Sequence, residues 1–271
     1  YGLMFSAAYT WSKLITTAGD DLWGNTPLTG VLQNPFDTTS IRALSPTNAA
    51  NVFVLDYIYE LPFGKGKQFL NNSNLLDKFA GGWQINGIHR YQGGMPLTVS
   101  INGGAYRQFL DTVGYQGNLR PNLTGEKILL DSSLSGWSAA VINPAAFSAP
   151  RQYSAPPTSD AGDPAYAAYY ADPSKFFGTA PAVLNQRVLP YYSENFSLLK
   201  KIRFGERYTV ELGAEAFNVF NRHRYWMPDA NLDGFNNGGT PTNANFGKST
   251  VLDDNTAYGP RTLQLRARFM F

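Results

Sequence analysis

Few residues in this chain could carry chemistry. It has no cysteine, so thiolate catalysis, disulfides and Cys-ligated zinc are excluded together. The two histidines are His89 and His223. Triad or metal chemistry would need an orienting carboxylate or convergent ligands beside them, and neither has one nearby in sequence. His89 shares its parity with apolar neighbours in an alternating stretch and reads as interfacial. His223 sits between Arg222 and Arg224 where a loop starts. No catalytic residue is assigned, and the chain does not read as an enzyme.

Three short strings invite a closer look. In "DANLDGFNNGGT" (229–240), Asp229, Asn231, Asp233 and Gly234 occupy positions 1, 3, 5 and 6 of an EF-hand loop, but position 12 is Thr240 where a bidentate Glu belongs. The string is a weak candidate calcium loop whose Asn, Asp and Gly serve turns equally well. "FGKST" (246–250) resembles the end of a phosphate loop, yet the glycine required five residues before Gly247 is Thr242. "GKGK" (64–67) after Pro62 is a turn with solvated lysines. No other metal and no cofactor is expected. A net charge of +2 without a basic cluster argues against nucleic acid as a partner.

A more productive set is Glu211, Glu215, Arg266 and Arg268, because each lies between apolar residues in strict alternation. If those two segments pair as antiparallel strands, Glu211 comes close to Arg266 or Arg268. A cross-strand ion-pair ladder of about 0.2–1 kcal/mol per pair is then expected on the polar face. It reads either as a wall that holds a plug or guides a polar solute, or simply as charges satisfying a wet interior.

The elements that must position these residues are strands. Charged residues are 15% of the chain, below the roughly 25% of soluble domains, while aromatics reach 14%. No stretch approaches the ~18 apolar residues of a membrane helix. The N-terminus, "YGLMFSAAYTWSK", has no basic and apolar regions of a signal peptide. A chain that opens in mid-strand without an initiator Met reads as a fragment or a processed piece. Period-2 alternation marks six segments: Leu3 to Ser12, Val52 to Leu61, Trp83 to Ile101 (broken at Gly93 and Gly94), Asn195 to Phe204, Tyr208 to Ala216 and the terminal "RTLQLRARFMF".

Between them lie connectors 14–50, 62–82, 102–190, 205–206 and 221–258, long and short in alternation. Structureless loops beyond about 12–15 residues are unusual in a compact soluble domain. Short turns on one side and long loops on the other are the habit of outer-membrane barrels, whose strands need about 9–11 tilted residues. Tyr9, Trp11, Trp83 and Tyr91 cluster at strand ends as an interfacial girdle would. The reading is therefore all-β: an antiparallel transmembrane β-barrel with long extracellular loops, apolar side chains against outer-membrane lipid, and the C-terminus in the periplasm. A soluble carbohydrate-binding β-sandwich is the alternative from pattern alone, but it would show turn signals every 8–12 residues.

The residues also resemble a known family. "YTWSK" (9–13), "YELPFGKGK" (59–67), "GGWQINGI" (81–88), "GGMPLTVS" (93–100), "RPN" (120–122), "NPAAFSAP" (143–150), "AEAFNVFNR" (214–222) and the terminal strand are similar, in order, to the barrel of TonB-dependent outer-membrane receptors, particularly the Oar-like group. The resemblance implies a barrel of about 22 strands with a plugged lumen, of which these are about six C-terminal strands. The plug, the remaining strands, the TonB-contacting segment and a signal peptide would lie upstream. It implies uptake of a large, scarce solute into a Gram-negative cell, or, in an Oar-like surface protein, adhesion or assembly without transport. It also implies that Phe271, with Phe269, Ala267, Leu265 and Leu263 behind it, is what the barrel-assembly machinery reads. The chain departs from the family at "SPTNAANVF" (45–53) and "NRHRYWMP" (221–228), both in or beside loops. Contacts to an extracellular ligand are expected in the loops, above all 102–190.

Overall fold

The computed structural model describes residues 2–17, 33, 39–71, 79–101, 119–130, 140–150, 162, 164–171, 177–205, 207–222, 225, 227–235, 240–249 and 260–271. Its dominant element is a six-stranded antiparallel sheet. Six long strands build it: β1 (Leu3–Trp11), β4 (Asn51–Glu60), β5 (Trp83–Gln92), β10 (Tyr191–Phe204), β11 (Tyr208–Phe217) and β12 (Thr262–Met270). They pair in chain order, each with the next, so the sheet is an up-and-down meander. It is open: β1 and β12 are its two edges and do not pair with each other.

All six alternating segments fold as strands of this sheet, with two boundaries to correct; β10 begins at Tyr191, four residues before Asn195. The third segment does not run on to Ile101. After Gly93 and Gly94 the chain leaves the sheet, and β6 (Met95–Leu97) pairs instead with β9 (Leu184–Val188). A Cβ at Gly94 would collide with the Val188 carbonyl, so the glycine lets the departing strand pass close to its new partner.

Register keeps parity across the whole sheet, which decides what each face is made of. Tyr9 stands opposite Phe53, Phe53 opposite Tyr91, and Tyr91 opposite Tyr192. Further along, Leu198 faces Ala214, and Ala214 faces Leu265. One face is thus continuous and mostly apolar, from Leu3, Phe5 and Ala7 to Leu265, Phe269 and Phe271. The other carries Asp56, Gln84, Asn86, Arg90, Ser197, Lys201, Glu211, Glu215, Gln264, Arg266 and Arg268. The apolar face is uncovered: Phe5, Leu263 and Phe269 are all well exposed.

The hydrophobic core lies elsewhere, in the long connections at the end of the sheet where β1 and β5 finish. Leu97, Val99, Ile101, Leu119, Val141, Ile142, Phe147, Leu184, Val188, Leu232 and Phe246 pack there, with Phe147 edge-on to Phe246 at 5.7 Å. Short pairs brace this cap: β2 (Ile15–Thr16) with β3 (Ala43–Leu44), and β7 (Asn122–Leu123) with β8 (Phe147–Ser148). Among the described residues, the long connections also carry a helix, α1 (Pro164–Tyr170), and two 3-10 turns, Thr39–Ile41 and Pro144–Ala146. The long connections are therefore not merely structureless loops. Two of them share one core: Ser100 bridges Asn231, and Ala140 bridges Lys248.

Candidate functional site

Part of the polar face's charge is gathered in one cluster across β10, β11 and β12. Arg266 Nη2 donates to Glu211 Oε1 at 3.1 Å, and its Nε lies 3.5 Å from Glu215 Oε1. Lys201 approaches Glu211 from the other side at 3.9 Å. Glu211 stands directly opposite Arg268 in register, yet Arg266, opposite Gly213, takes the carboxylate diagonally. The reason is space. A Cβ at Gly213 would lie 2.8 Å from Arg266 Cγ and Nε and 2.9 Å from Leu199 Cδ2, so only glycine lets this arginine lie flat between two glutamates. Among the described residues, Arg268 makes no ion pair.

Most aromatics of the apolar face lie in two bands, with Phe5, Tyr57 and Phe196 on a register row between them. At the cap end are Tyr9, Trp11, Phe53, Tyr91 and Tyr192, with Phe53 stacked on Tyr91 at 6.3 Å and Tyr91 tilted against Tyr192 at 5.8 Å. Tyr9 donates to Asn51 Oδ1 at 2.7 Å, as a polar tip at an interface would. At the opposite end are Tyr59, Trp83, Tyr208, Phe269 and Phe271, with Tyr208 stacked on Phe269 at 5.8 Å. Trp83 therefore belongs to the turn-end band, and Tyr9, Trp11 and Tyr91 to the cap-end band. His89 lies between Tyr57 and Tyr91, stacked on both at 5.5 and 6.5 Å.

Two charges on this apolar face were not singled out from the sequence. Glu194 is 0% exposed and stands opposite His89. Arg222 reaches its carboxylate with Nε at 2.9 and 3.1 Å, while its guanidinium lies over Tyr192 at 5.3 Å and Phe220 at 5.6 Å. The segment "NVFNR" is wound to make this possible. Asn218 and Asn221 both adopt φ of +51°, a region asparagine tolerates better than most residues. Asn218 Oδ1 accepts from the Arg222 amide at 2.9 Å, and its Nδ2 donates to the Arg222 carbonyl at 3.0 Å. The Val219 amide donates to the Glu194 carbonyl at 2.9 Å, and Asn221 Oδ1 accepts from the Arg261 amide at 3.1 Å. This clasp binds β10, the end of β11 and the entry to β12 at one point.

Lys200, also buried, is the second. Its ammonium lies 5.1 Å from the Trp83 ring and donates to the carbonyls of Phe79 and Gly81. Gly82 adopts φ of +73° there, with the Lys201 carbonyl where a Cβ would stand. The turn is thereby fastened to β10. Both charges were detectable: Glu194 and Lys200 share the parity of Phe196, Leu198 and Ile202.

In the string at 229–235 the oxygens form turns. Asp229 Oδ1 accepts from the Asn231 amide at 3.0 Å, and its Oδ2 accepts from Asn243 Nδ2 at 2.9 Å. Asn231 Oδ1 accepts from the Asp233 amide at 3.0 Å, and Asn231 Nδ2 donates to Asp233 Oδ1 at 2.7 Å. Among the described residues no group of three His, Cys, Asp or Glu could hold a metal ion. His223 and the stretch 102–118 lie outside the described residues.

The cap is tied across large sequence separations. Arg187 donates to the carbonyls of Asn48 and Gly94 and, at 2.6 Å, to Asn48 Oδ1. Gln33, buried, donates to the Gly178 carbonyl at 2.7 Å and accepts from the Arg120 amide at 3.2 Å.

Set beside known proteins, residues 1–264 match the sequence model of the outer membrane beta barrel domain. No curated protein and no solved structure matches the chain.

Proposed function

The chain belongs to the outer membrane beta barrel domain family, and from that premise we propose that it is the C-terminal part of the barrel of a TonB-dependent receptor. Membership makes it an outer-membrane protein and displaces the soluble sandwich. In the proposal, the sheet is an arc of a larger plugged barrel, β1 and β12 being edges that pair with strands of the full-length chain. Its apolar face lies against lipid and its polar face lines the lumen. The cap stands outside the cell and contacts a large, scarce solute, and the end of β12 faces the periplasm. No covalent reaction is catalysed.

The observation that carries this reading is an apolar face with aromatic bands at both ends, on six strands of nine to fourteen residues, with the three longest connections at one end. A closed wall of such strands needs lipid on one side and water on the other. The eight family-like segments are what supports the receptor reading within that family. The test is uptake by cells expressing the full-length gene, with and without a functional TonB. TonB-dependent accumulation of a solute supports the receptor. A strain that loses surface attachment but no uptake would turn the reading to the Oar-like alternative, adhesion or assembly.

A further inference from the structure

The clasp at the cap end of the apolar face holds two cations and one acid. Arg222 is fastened through Asn218 and Glu194. Arg261 is fastened to the same turn, by its amide on Asn221 Oδ1 at 3.1 Å and by its Nη1 on the Val219 carbonyl at 3.4 Å. It precedes Leu263 and Leu265 in the alternation of β12, so it continues the apolar face toward the cap. Glu194, the acid of the clasp, is wholly buried.

Both Glu194 oxygens converge on one nitrogen of Arg222, Nε, at 2.9 and 3.1 Å. A guanidinium present only to neutralise a buried carboxylate would offer a forked edge, two parallel N–H groups to two oxygens. Here Nη1 and Nη2, which carry the remaining N–H donors, make no hydrogen bond among the described residues. They lie by the rings of Tyr192 and Phe220, level with the cap-end aromatic band, and the side chain is 45% exposed. Arg261 is exposed as well and makes no ion pair among the described residues. Apolar surface flanks the pair: Phe220 is 64% and Leu263 72% exposed.

Open guanidinium donors at the border of an apolar face suit an amphiphile whose anionic head sits at that border and whose chains lie along the face. We propose that Arg222 and Arg261 hold the phosphate of an outer-leaflet lipid, with Phe220 and Leu263 against its chains. The proposal rests on the barrel reading, which turns this face to lipid and puts the cap outside the cell. A free guanidinium edge offers phosphate charge-assisted, bidentate contacts, and Arg222 keeps Glu194 while making them. Glu194 is then a positioning residue, fixing Nε and leaving the other two nitrogens for the lipid.

The experiment uses the full-length protein in a neutral detergent, with lipid A, its dephosphorylated form and inorganic phosphate as probes, and reads bound lipid by native mass spectrometry. Wild type is expected to retain lipid A about tenfold better than the dephosphorylated form. R261Q and R222K are each expected to weaken that retention about tenfold, as the loss of a charge-assisted hydrogen bond would. Neither dismantles the clasp: the Asn221 bond is made by the Arg261 backbone amide, and R222K keeps a cation for Glu194. K65Q, at the turn end, is expected to stay within about twofold. Equal retention of both lipid forms, or equal retention by wild type and both variants, overturns the proposal. So does displacement of lipid A by equimolar inorganic phosphate, which would make this a site for the free anion. The barrel reading is checked apart, with a water-soluble maleimide in opened outer-membrane vesicles. L265C is expected to label no more than the parent protein. Labelling there removes the barrel reading and the lipid with it; protection there without a phosphate preference overturns the lipid site alone.

Discussion

Leu265 and Leu232 are the same side chain in opposite circumstances. Leu265, in the middle of β12, is 83% exposed; Leu232, in the cap, is 0% exposed. The cap solves its hydrophobic problem internally, by folding long connections onto one another. The sheet does not solve it at all within this chain: rows of Leu, Phe and Tyr stand on one face with nothing over them. Burying a side chain of this size is worth about 1.5–3 kcal/mol. The cap collects that free energy from its own packing, the sheet only from an apolar medium. On the barrel reading, the difference separates a water-facing region from a lipid-facing one.

The comparison can be broken in several places, the largest effect first. The clasp lies on the border of the two regions. R222A is expected to leave Glu194 buried without its cation and to lower unfolding stability of the folded protein in detergent by about 3–5 kcal/mol. Adding E194Q should recover part of the loss. If the single variant unfolds like wild type in urea, the clasp is ornamental.

Within the cap, L232A should cost about 2–5 kcal/mol, as core truncations do. Hydrogen exchange is expected to rise across 97–101 and 141–147 and to stay unchanged in β10 and β11. Exchange spreading into the sheet would show that the two regions unfold as one. On the sheet, L265R should reduce assembly into lipid by about 2–4 kcal/mol, the cost of arginine near a bilayer midplane. Q264R on the opposite face should cost almost nothing. Equal effects from both would erase the distinction between the faces.

The smallest effect concerns the polar cluster. E211Q is expected to lower thermal stability by about 0.2–1 kcal/mol at low salt, with the loss shrinking as salt is added. Exchanging the charges of Glu211 and Arg266 and finding the same melting temperature would show that the glutamates contribute no net stability.

Much of the fold was legible because strand parity is a local property. "TLQLRARFM" alternates whatever surrounds it, so β12, its apolar face and its position as an element followed from the residues alone. The pairing of Glu211 with Arg266 could be narrowed to two partners but not to one. The choice of the diagonal depends on the missing side chain at Gly213, which matters only when Arg266 lies over it. Glu194 and Lys200 were passed over because an isolated charge in a strand looks like a polar-face residue until its parity is compared with Phe196 and Leu198. The cap was not legible: Leu119, Ile142 and Leu232 show no periodicity that marks a shared core, and the alternation of Leu97, Val99 and Ile101 reads as a continuation of β5.

The sequence by itself determined the six strands, which side chains share each face, and the alternation of long and short connections. These follow from the two-residue repeat of extended backbone and from the turn residues between strands. Only the tertiary structure decided that two of the long connections share one core, that Arg187 reaches Asn48 139 residues away, and that "NVFNR" closes over a buried carboxylate. Such contacts join residues that no local repeat relates, and their partners are chosen by shape, burial and charge in three dimensions.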